Sequence, residues 1–270
     1  MPKLHIDDID VNYQEAGHGP PLVFLHGLGG SSEDWEQQIP YFATRYRVLA
    51  PDFRGFGGTP AGGRRLSIAR LAADTGAFVD AMGLSRFRLV GHSMGGAVAL
   101  QYALTHPGKI ERLVIANSVP SFRPQSARHY LEFLYRLAVM GVLGPAKLAE
   151  ISAMRQFPEP QHEPLRAKLI ARGARNTRAT YLAALASLGR WSVIERLHEL
   201  KMPVLVAASQ HDYFGHDETV KFAHALPRGR LHLFKGAHHG LPLEQPDAFN
   251  AVLERFLRGA GPVPHQDTVA

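Results

Sequence analysis

The 270-residue sequence contains no cysteine. This absence excludes a disulfide framework, a thiolate nucleophile and a zinc site with cysteine ligands. Despite its 15 histidines, the sequence also lacks the helical zinc spacing His-Glu-x-x-His. The glycine patterns that bind phosphate groups or dinucleotides are missing too. We therefore expect neither a metal nor a cofactor.

Targeting and membrane signals are absent as well. The opening Met1-Pro2-Lys3 leads directly into strand-like sequence, without the basic and apolar segments of a secretory signal. By inspection, no apolar run approaches the roughly 20 residues of a membrane-spanning helix, and no nucleic-acid-binding module is recognised. These absences predict a cytoplasmic protein with no membrane span and no nucleic-acid partner, and they leave the oligomeric state open.

Short β-type runs alternate with helix-like segments along most of the chain. Hydrophobic residues make up 45% of the sequence and charged residues 20%, which is enough apolar material for a large core. The alternation predicts an α/β fold with a mostly parallel central sheet flanked by helices on both faces.

The segment GHSMG at 91–95 lies between a β-type run and a helix-like run. Such a strand–turn–helix, with glycine two residues before and two residues after a serine, is the setting of a nucleophile elbow. The turn exposes the serine hydroxyl at a helix N-terminus, where the helix dipole favours developing negative charge. The pattern predicts Ser93 as a nucleophile.

A second glycine-rich turn, HGLGG at 26–30, follows the buried-strand run 22–25. A turn of this kind leaves backbone N–H groups unpaired at the carboxyl end of a strand. The N–H groups of Leu28 and Met94 are therefore predicted to bind the oxygen of a tetrahedral intermediate.

A serine nucleophile needs an imidazole as its base, and the imidazole needs a carboxylate that fixes its tautomer. Asp212 follows the strand-like run 202–208, and His238 and His239 follow another at 231–234. The candidates thus occur in the order serine, aspartate, histidine.

These motifs, in this order, resemble the α/β-hydrolase superfamily, in its capped esterase and lactonase branch with a serine nucleophile. The resemblance covers residues 4–257 and rests on HGL at 26–28, PDFRGFG at 51–57, GHSMG at 91–95 and EQP at 244–246. It implies that Ser93, Asp212 and His239 form a catalytic triad. In that family a glycine usually precedes the catalytic histidine, which stands five residues before the glutamate of EQP. This spacing selects His239, but His238 in place of the glycine stays an alternative base, and Asp217 an alternative acid.

The interval between the strand-like runs 112–116 and 202–208 is too long for a simple crossover. Its helical periodicity predicts an inserted cap at 121–190, on a core formed by 1–120 and 191–258, with a disordered tail at 259–270. Such a cap would lie over the carboxyl ends of the strands, where open α/β sheets bind ligands. The candidate substrate-binding residues are His26, Phe133, Leu137, Met140 and Trp191.

Positive charge is concentrated in the cap region. Residues 120–200 contain 12 Lys and Arg against six Asp and Glu, a net charge of +6 that equals that of the whole chain. Lys168, Arg172 and Arg175 share one helical face. A solvated outer face is the favoured interpretation, and steering of anionic substrates or docking on an acidic surface are the alternatives.

Together these features predict a serine hydrolase that cleaves carboxylic esters, including lactones, through an acyl-enzyme. Its partner would be a small-molecule ester or lactone. Carbon–carbon bond hydrolysis and perhydrolysis are alternatives that use the same triad. The alternative from another class is a ligand receptor of the same fold that signals through its cap.

Overall fold

Eight strands form one sheet in the computed structural model, which describes residues 1–259. The strands are β1 Lys3–Ile6, β2 Ile9–Ala16, β3 Pro21–Leu25, β4 Arg47–Pro51, β5 Phe87–His92, β6 Ile110–Ala116, β7 Val204–Ser209 and β8 Gly229–Phe234. Their order in the sheet is β1-β2-β4-β3-β5-β6-β7-β8. β2 pairs antiparallel with both β1 and β4, and the other neighbours pair parallel. Of the predicted tail, only Gly259 lies within the described residues.

Ten α-helices occur within residues 1–259. They are α1 Gln38–Phe42, α2 Ile68–Ala81, α3 Met94–Thr105, α4 Ala127–Ala138, α5 Gly144–Gln156, α6 Glu163–Gly173, α7 Arg178–Leu188, α8 His216–Ala225, α9 Leu241–Glu244 and α10 Pro246–Leu257. A turn of π-helix, Val139–Leu143, joins α4 to α5.

The sheet is buried on both faces, as β3 shows. Leu22 and Phe24 pack in a core cluster that includes residues of α1 and α10, whereas Val23 and Leu25 pack in another that includes residues of α2 and α3. Successive residues of a strand point to opposite faces, and all four side chains are fully buried. Helices on both faces are what a mostly parallel sheet requires. The predicted α/β architecture is therefore confirmed.

Helices α4 to α7 form an insertion between β6 and β7. An isolated antiparallel bridge between Ser121 and Ser192 joins the two ends of the insertion. The insertion has a small apolar cluster of its own, made of Val139, Met140, Leu148, Tyr181 and Leu185. These four helices are called the cap.

The helical stretch His129–Gln156 is long and apolar enough to cross a membrane, judged by length and composition alone. The expectation that no run approaches this length is therefore wrong. Only 33% of its most apolar window is buried. Gly144, within the stretch, has a φ of +86°, which lies outside the helical region and divides the run into two helices. Because helices of proteins outside membranes pass the same test, the absence of a membrane span stays a prediction.

The basic face of α6 contacts an acidic segment of the core, so it is not the solvated outer face favoured from the sequence. Arg172 is only 10% exposed, and its guanidinium nitrogens lie 2.6 Å from Glu36 and 3.2 Å from Glu33. Lys168 of α6, and Arg175 just after the helix, add ion pairs of 2.7 and 2.5 Å to the same two glutamates. The acidic surface on which this face docks belongs to the same chain, and the ion pairs tie the cap to the core.

We expect Arg172→Gln to lower the free energy of unfolding by about 1–3 kcal/mol, because it removes the least exposed of the three cations that pair with Glu33 and Glu36. Chemical denaturation measures this loss of stability. In limited proteolysis, the cap of the variant should be cleaved faster than that of the wild type. Lys147→Gln is the matched control, since Lys147 pairs with Glu150 inside α5 and both are about half exposed. Its effect should stay below about 0.5 kcal/mol. Equal effects of the two changes would contradict a role of Arg172 in holding the cap.

Candidate active site

Ser93 occupies a strained turn between β5 and α3, with φ of +52° and ψ of −119°. A residue with a side chain adopts such a conformation at a cost of about 1–3 kcal/mol. A Cβ atom on Gly91 would overlap the backbone of Gly95, and one on Gly95 would overlap the carbonyl groups of Leu25 and His26. Glycine is therefore required on both sides of the serine, and the turn presses against the end of β3.

The hydroxyl of Ser93, the imidazole of His239 and the carboxylate of Asp212 form one hydrogen-bonded chain. Nε2 of His239 lies 3.0 Å from Oγ of Ser93, and its Nδ1 lies 2.6 Å from Oδ1 of Asp212. The side chains of His239 and Asp212 are 7% and 1% exposed. When Nδ1–H donates to the carboxylate, the unprotonated Nε2 faces the hydroxyl and can accept its proton.

The loop that carries His239 is fixed through its backbone. The carbonyl oxygen of His239 accepts hydrogen bonds from Nε2 of His92 at 2.8 Å and from Nδ2 of Asn117 at 3.0 Å. Burial, reinforced by the nearby imidazole of His239, lowers the pKa of His92 to about 3. His92 is therefore neutral near pH 7, and its Nε2–H donates to the carbonyl oxygen of His239.

The neighbouring histidine is engaged elsewhere. Nδ1 of His238 lies 2.7 Å from Oε1 of Glu244, whose other carboxylate oxygen accepts the backbone N–H of His238 at 2.6 Å. The alternative acid, Asp217, is exposed in the first turn of α8. The geometry thus favours His239 over His238 as the partner of the serine, and Asp212 over Asp217 as the carboxylate.

The turn after β3 is held by His26, which is fully buried. Its Nδ1 lies 2.8 Å from the carbonyl oxygen of Gly27, and its Nε2 accepts the backbone N–H of Phe53 at 3.0 Å. The assignment of His26 to substrate binding is corrected, because both ring nitrogens are used to fix the loop. Within residues 1–259, the N–H groups of Leu28 and Met94 donate to no backbone carbonyl.

Two cavities open onto the serine. Both are lined by Leu28, Ser93, Arg136, Tyr213 and His239. Phe133 lines one of them and Met140 the other. Leu137 instead packs against the apolar cluster of the cap, and the indole of Trp191, 8% exposed, donates to Gln101 at 3.0 Å. Neither residue lines these two cavities, because helical periodicity gives the apolar face but not which of its residues meet a cavity.

Three cavity residues carry no assignment from the sequence. Tyr213 stacks on the ring of His239 with a centroid distance of 4.4 Å, and its position directly after Asp212 was a usable signal. Arg136 in α4 and Tyr181 in α7 also line the cavity with Ser93. The sequence could not predict the position of these two residues, because it depends on how the cap helices pack on the core.

Comparisons with known proteins identify the family to which the chain belongs. The chain matches the family model described as the alpha/beta hydrolase fold over residues 20–246. A putative carbamate hydrolase RutD from Agrobacterium fabrum (strain C58 / ATCC 33970) is 29% identical over 92% of this chain and 97% of that protein. The crystal structure of the enol-lactonase from Burkholderia xenovorans LB400 has a TM-score of 0.87 at 23% identity, covering 95% of this chain and 100% of that one. Est816, described as an N-acyl homoserine lactone degrading enzyme, has a TM-score of 0.77 at 28% identity, covering 94% and 100%.

Because the family model covers most of its length, the chain belongs to the α/β-hydrolase family. The membership predicted from the sequence motifs is confirmed, and so is the fold that they imply. The chain is accordingly a hydrolase of this family.

We expect Gly91→Ala to destabilise the protein by several kcal/mol, because its Cβ atom would overlap backbone that cannot move aside. Thermal unfolding and the yield of folded protein measure the effect. Gly108→Ala is the control, since a Cβ atom there meets nothing within 4 Å. A Gly91→Ala protein as stable as Gly108→Ala would show that the turn is looser than described.

Proposed function

We propose that this protein hydrolyses carboxylic esters, including lactones, through an acyl-enzyme on Ser93. The observation that carries the proposal is the hydrogen-bonded chain from Ser93 through His239 to Asp212, with distances of 3.0 and 2.6 Å. The carboxylate of Asp212, at one end of these hydrogen bonds, is buried, and the hydroxyl of Ser93, at the other end, is open to the cavities.

In the first half-reaction, Oγ of Ser93 attacks the ester carbonyl as its proton passes to Nε2 of His239. Asp212 holds the protonated imidazole in place through Nδ1. His239 then gives that proton to the leaving alkoxide, the carbon–oxygen bond breaks, and an acyl group remains on the serine. A water molecule deprotonated by His239 attacks this acyl group, and the proton returns to Oγ as the acid leaves.

The negative oxygen of each tetrahedral intermediate would accept hydrogen bonds from the N–H groups of Leu28 and Met94. Met94 begins α3, so its N–H has no acceptor within the helix, and the helix dipole adds to the attraction. The contact of Gly95 with the end of β3 keeps these two backbone segments together. Donors fixed in this way stabilise the transition state without reorganising.

A panel of substrates decides between the ester proposal and its rivals. Est816 is described as a lactone-degrading enzyme, which supports lactones for this chain, and the relative named a carbamate hydrolase makes carbamates the main competing class. Vinylogous diketones test carbon–carbon hydrolysis, and hydrogen peroxide with a carboxylic acid tests perhydrolysis. Turnover well above one per second favours an enzyme over a slow-turnover receptor.

We expect Ser93→Ala to lower ester turnover by about 10⁶-fold and to abolish labelling by a fluorophosphonate, because the nucleophile is removed. Hydrolysis of p-nitrophenyl acetate and gel fluorescence measure the two effects. Ser85→Ala, at an exposed serine before β5, is the control and should behave as the wild type. Near-normal turnover in a folded Ser93→Ala protein would overturn the mechanism.

Replacing each of the adjacent histidines tests which one is the base. His239→Ala should abolish turnover across the pH range, since only its ring bridges Ser93 and Asp212. His238→Ala should keep turnover within about tenfold of wild type and show its loss as reduced thermal stability, because it breaks the contact with Glu244. An inactive His238→Ala beside an active His239→Ala would reverse the assignment.

A further inference from the structure

Arg136 faces both cavities above the serine, whereas Arg123 lines only one of them. Arg136 lies in the last turn of α4, and it lines both cavities that contain Ser93 and His239. Its guanidinium carbon is 5.2 Å from the ring centre of Tyr213, whose other ring contact is the stacked imidazole of His239. A guanidinium is charged at every pH at which the protein is folded.

The charge of Arg136 is only partly compensated by its own neighbours. Its Nε donates to Oε1 of Glu132 at 2.9 Å, and the same oxygen accepts from Arg155 at 2.7 Å. One carboxylate therefore serves two guanidinium groups, and the three side chains carry a net positive charge. The terminal amino groups of Arg136 face the hydroxyl groups of Tyr181 and Tyr213, which act as acceptors for the guanidinium and keep their own O–H groups for other partners.

Two neutral phenols flank this guanidinium on the same cavity. Burial raises the pKa of Tyr213 to about 12 and raises the pKa of Tyr181, and in both cases the charge of Arg136 opposes the rise. Both hydroxyl groups therefore stay protonated and can donate hydrogen bonds. Asp34 is the carboxylate in the lining of the cavity that contains both tyrosines, and Arg172 pairs with it at 3.4 Å. The other cavity is lined by Glu132, which pairs with Arg136, and by Glu218.

We propose that Arg136, with the hydroxyl groups of Tyr181 and Tyr213, binds a carboxylate on the substrate, so that the enzyme prefers anionic esters or lactones. This inference rests on the proposed ester hydrolysis at Ser93. A planar guanidinium matches the two oxygens of a carboxylate, and phenol O–H groups add uncharged donors. With the carboxylate held at the cap, the scissile carbonyl lies toward the serine, and one acyl chain connects the two.

The test compares two p-nitrophenyl esters of equal acyl length, the anionic monoester of glutaric acid and the neutral ester of pentanoic acid. Wild type should show at least tenfold higher kcat/KM for the anionic ester. Arg136→Gln should lower kcat/KM for the anionic ester by about 10–100-fold, the range expected for a hydrogen bond to a charged group. It should change the neutral ester less than threefold. A proportional loss on both esters, or no preference in wild type, would overturn the proposal.

Arg196→Gln is the matched control, because Arg196 pairs with Glu199 and lines neither of the cavities that contain Ser93. Its ratio between the two esters should equal that of wild type. Calorimetric binding of monomethyl glutarate to Ser93→Ala protein separates this proposal from the proposed function. Binding that Arg136→Gln removes sustains the anion site even if no ester is turned over, and absence of binding contradicts it.

Discussion

The backbone of Ser93 is held at a positive φ, and the site is arranged around that one turn. The strain, about 1–3 kcal/mol, is carried by contacts that allow no side chain at Gly91 or Gly95. The hydrogen bond from the N–H of Ser93 to the carbonyl of Ala116, at 2.9 Å, ties the turn to β6. The close approach of Gly95 to the end of β3 sets the distance between α3 and the turn that contains Leu28. The proposed nucleophile and the proposed oxyanion donors are thus positioned by the same packing.

The remaining parts of the site reach this turn from two directions. Asp212 and His239 come from loops after β7 and β8, and the amide of Asn117, at the end of β6, fixes the carbonyl of His239. Parallel strands bring these loops to one edge of the sheet. The cap approaches from above and is held by the ion pairs of Arg172. In the proposed mechanism the sheet contributes the catalytic residues, and the cap contributes Arg136 and Tyr181 to the proposed carboxylate site.

The sequence predicted the sheet and the hydroxyl–imidazole–carboxylate chain because both follow from local signals. The backbone geometry requires the glycines around Ser93 and the spacing from Glu244 to His239. A short sequence motif is therefore enough to predict both. The placement of His26, Leu137 and Trp191 outside the linings of both cavities could not be predicted in this way. A histidine or an apolar residue near a site in sequence can equally support a loop or fill a core, and the packing of the cap decides which. The role of α6 was likewise hidden, since its acidic partners lie about 135 residues away in the chain.

Direct observation of the acyl-enzyme tests the central claim. The protein is mixed with a p-nitrophenyl ester, quenched in acid during turnover and digested, and the peptides are analysed by mass spectrometry. The account predicts an acyl group on the peptide that contains Ser93, at the residue itself, formed in step with a burst of p-nitrophenol. Steady turnover with Ser93 unmodified, or with the acyl group on another residue, would contradict it.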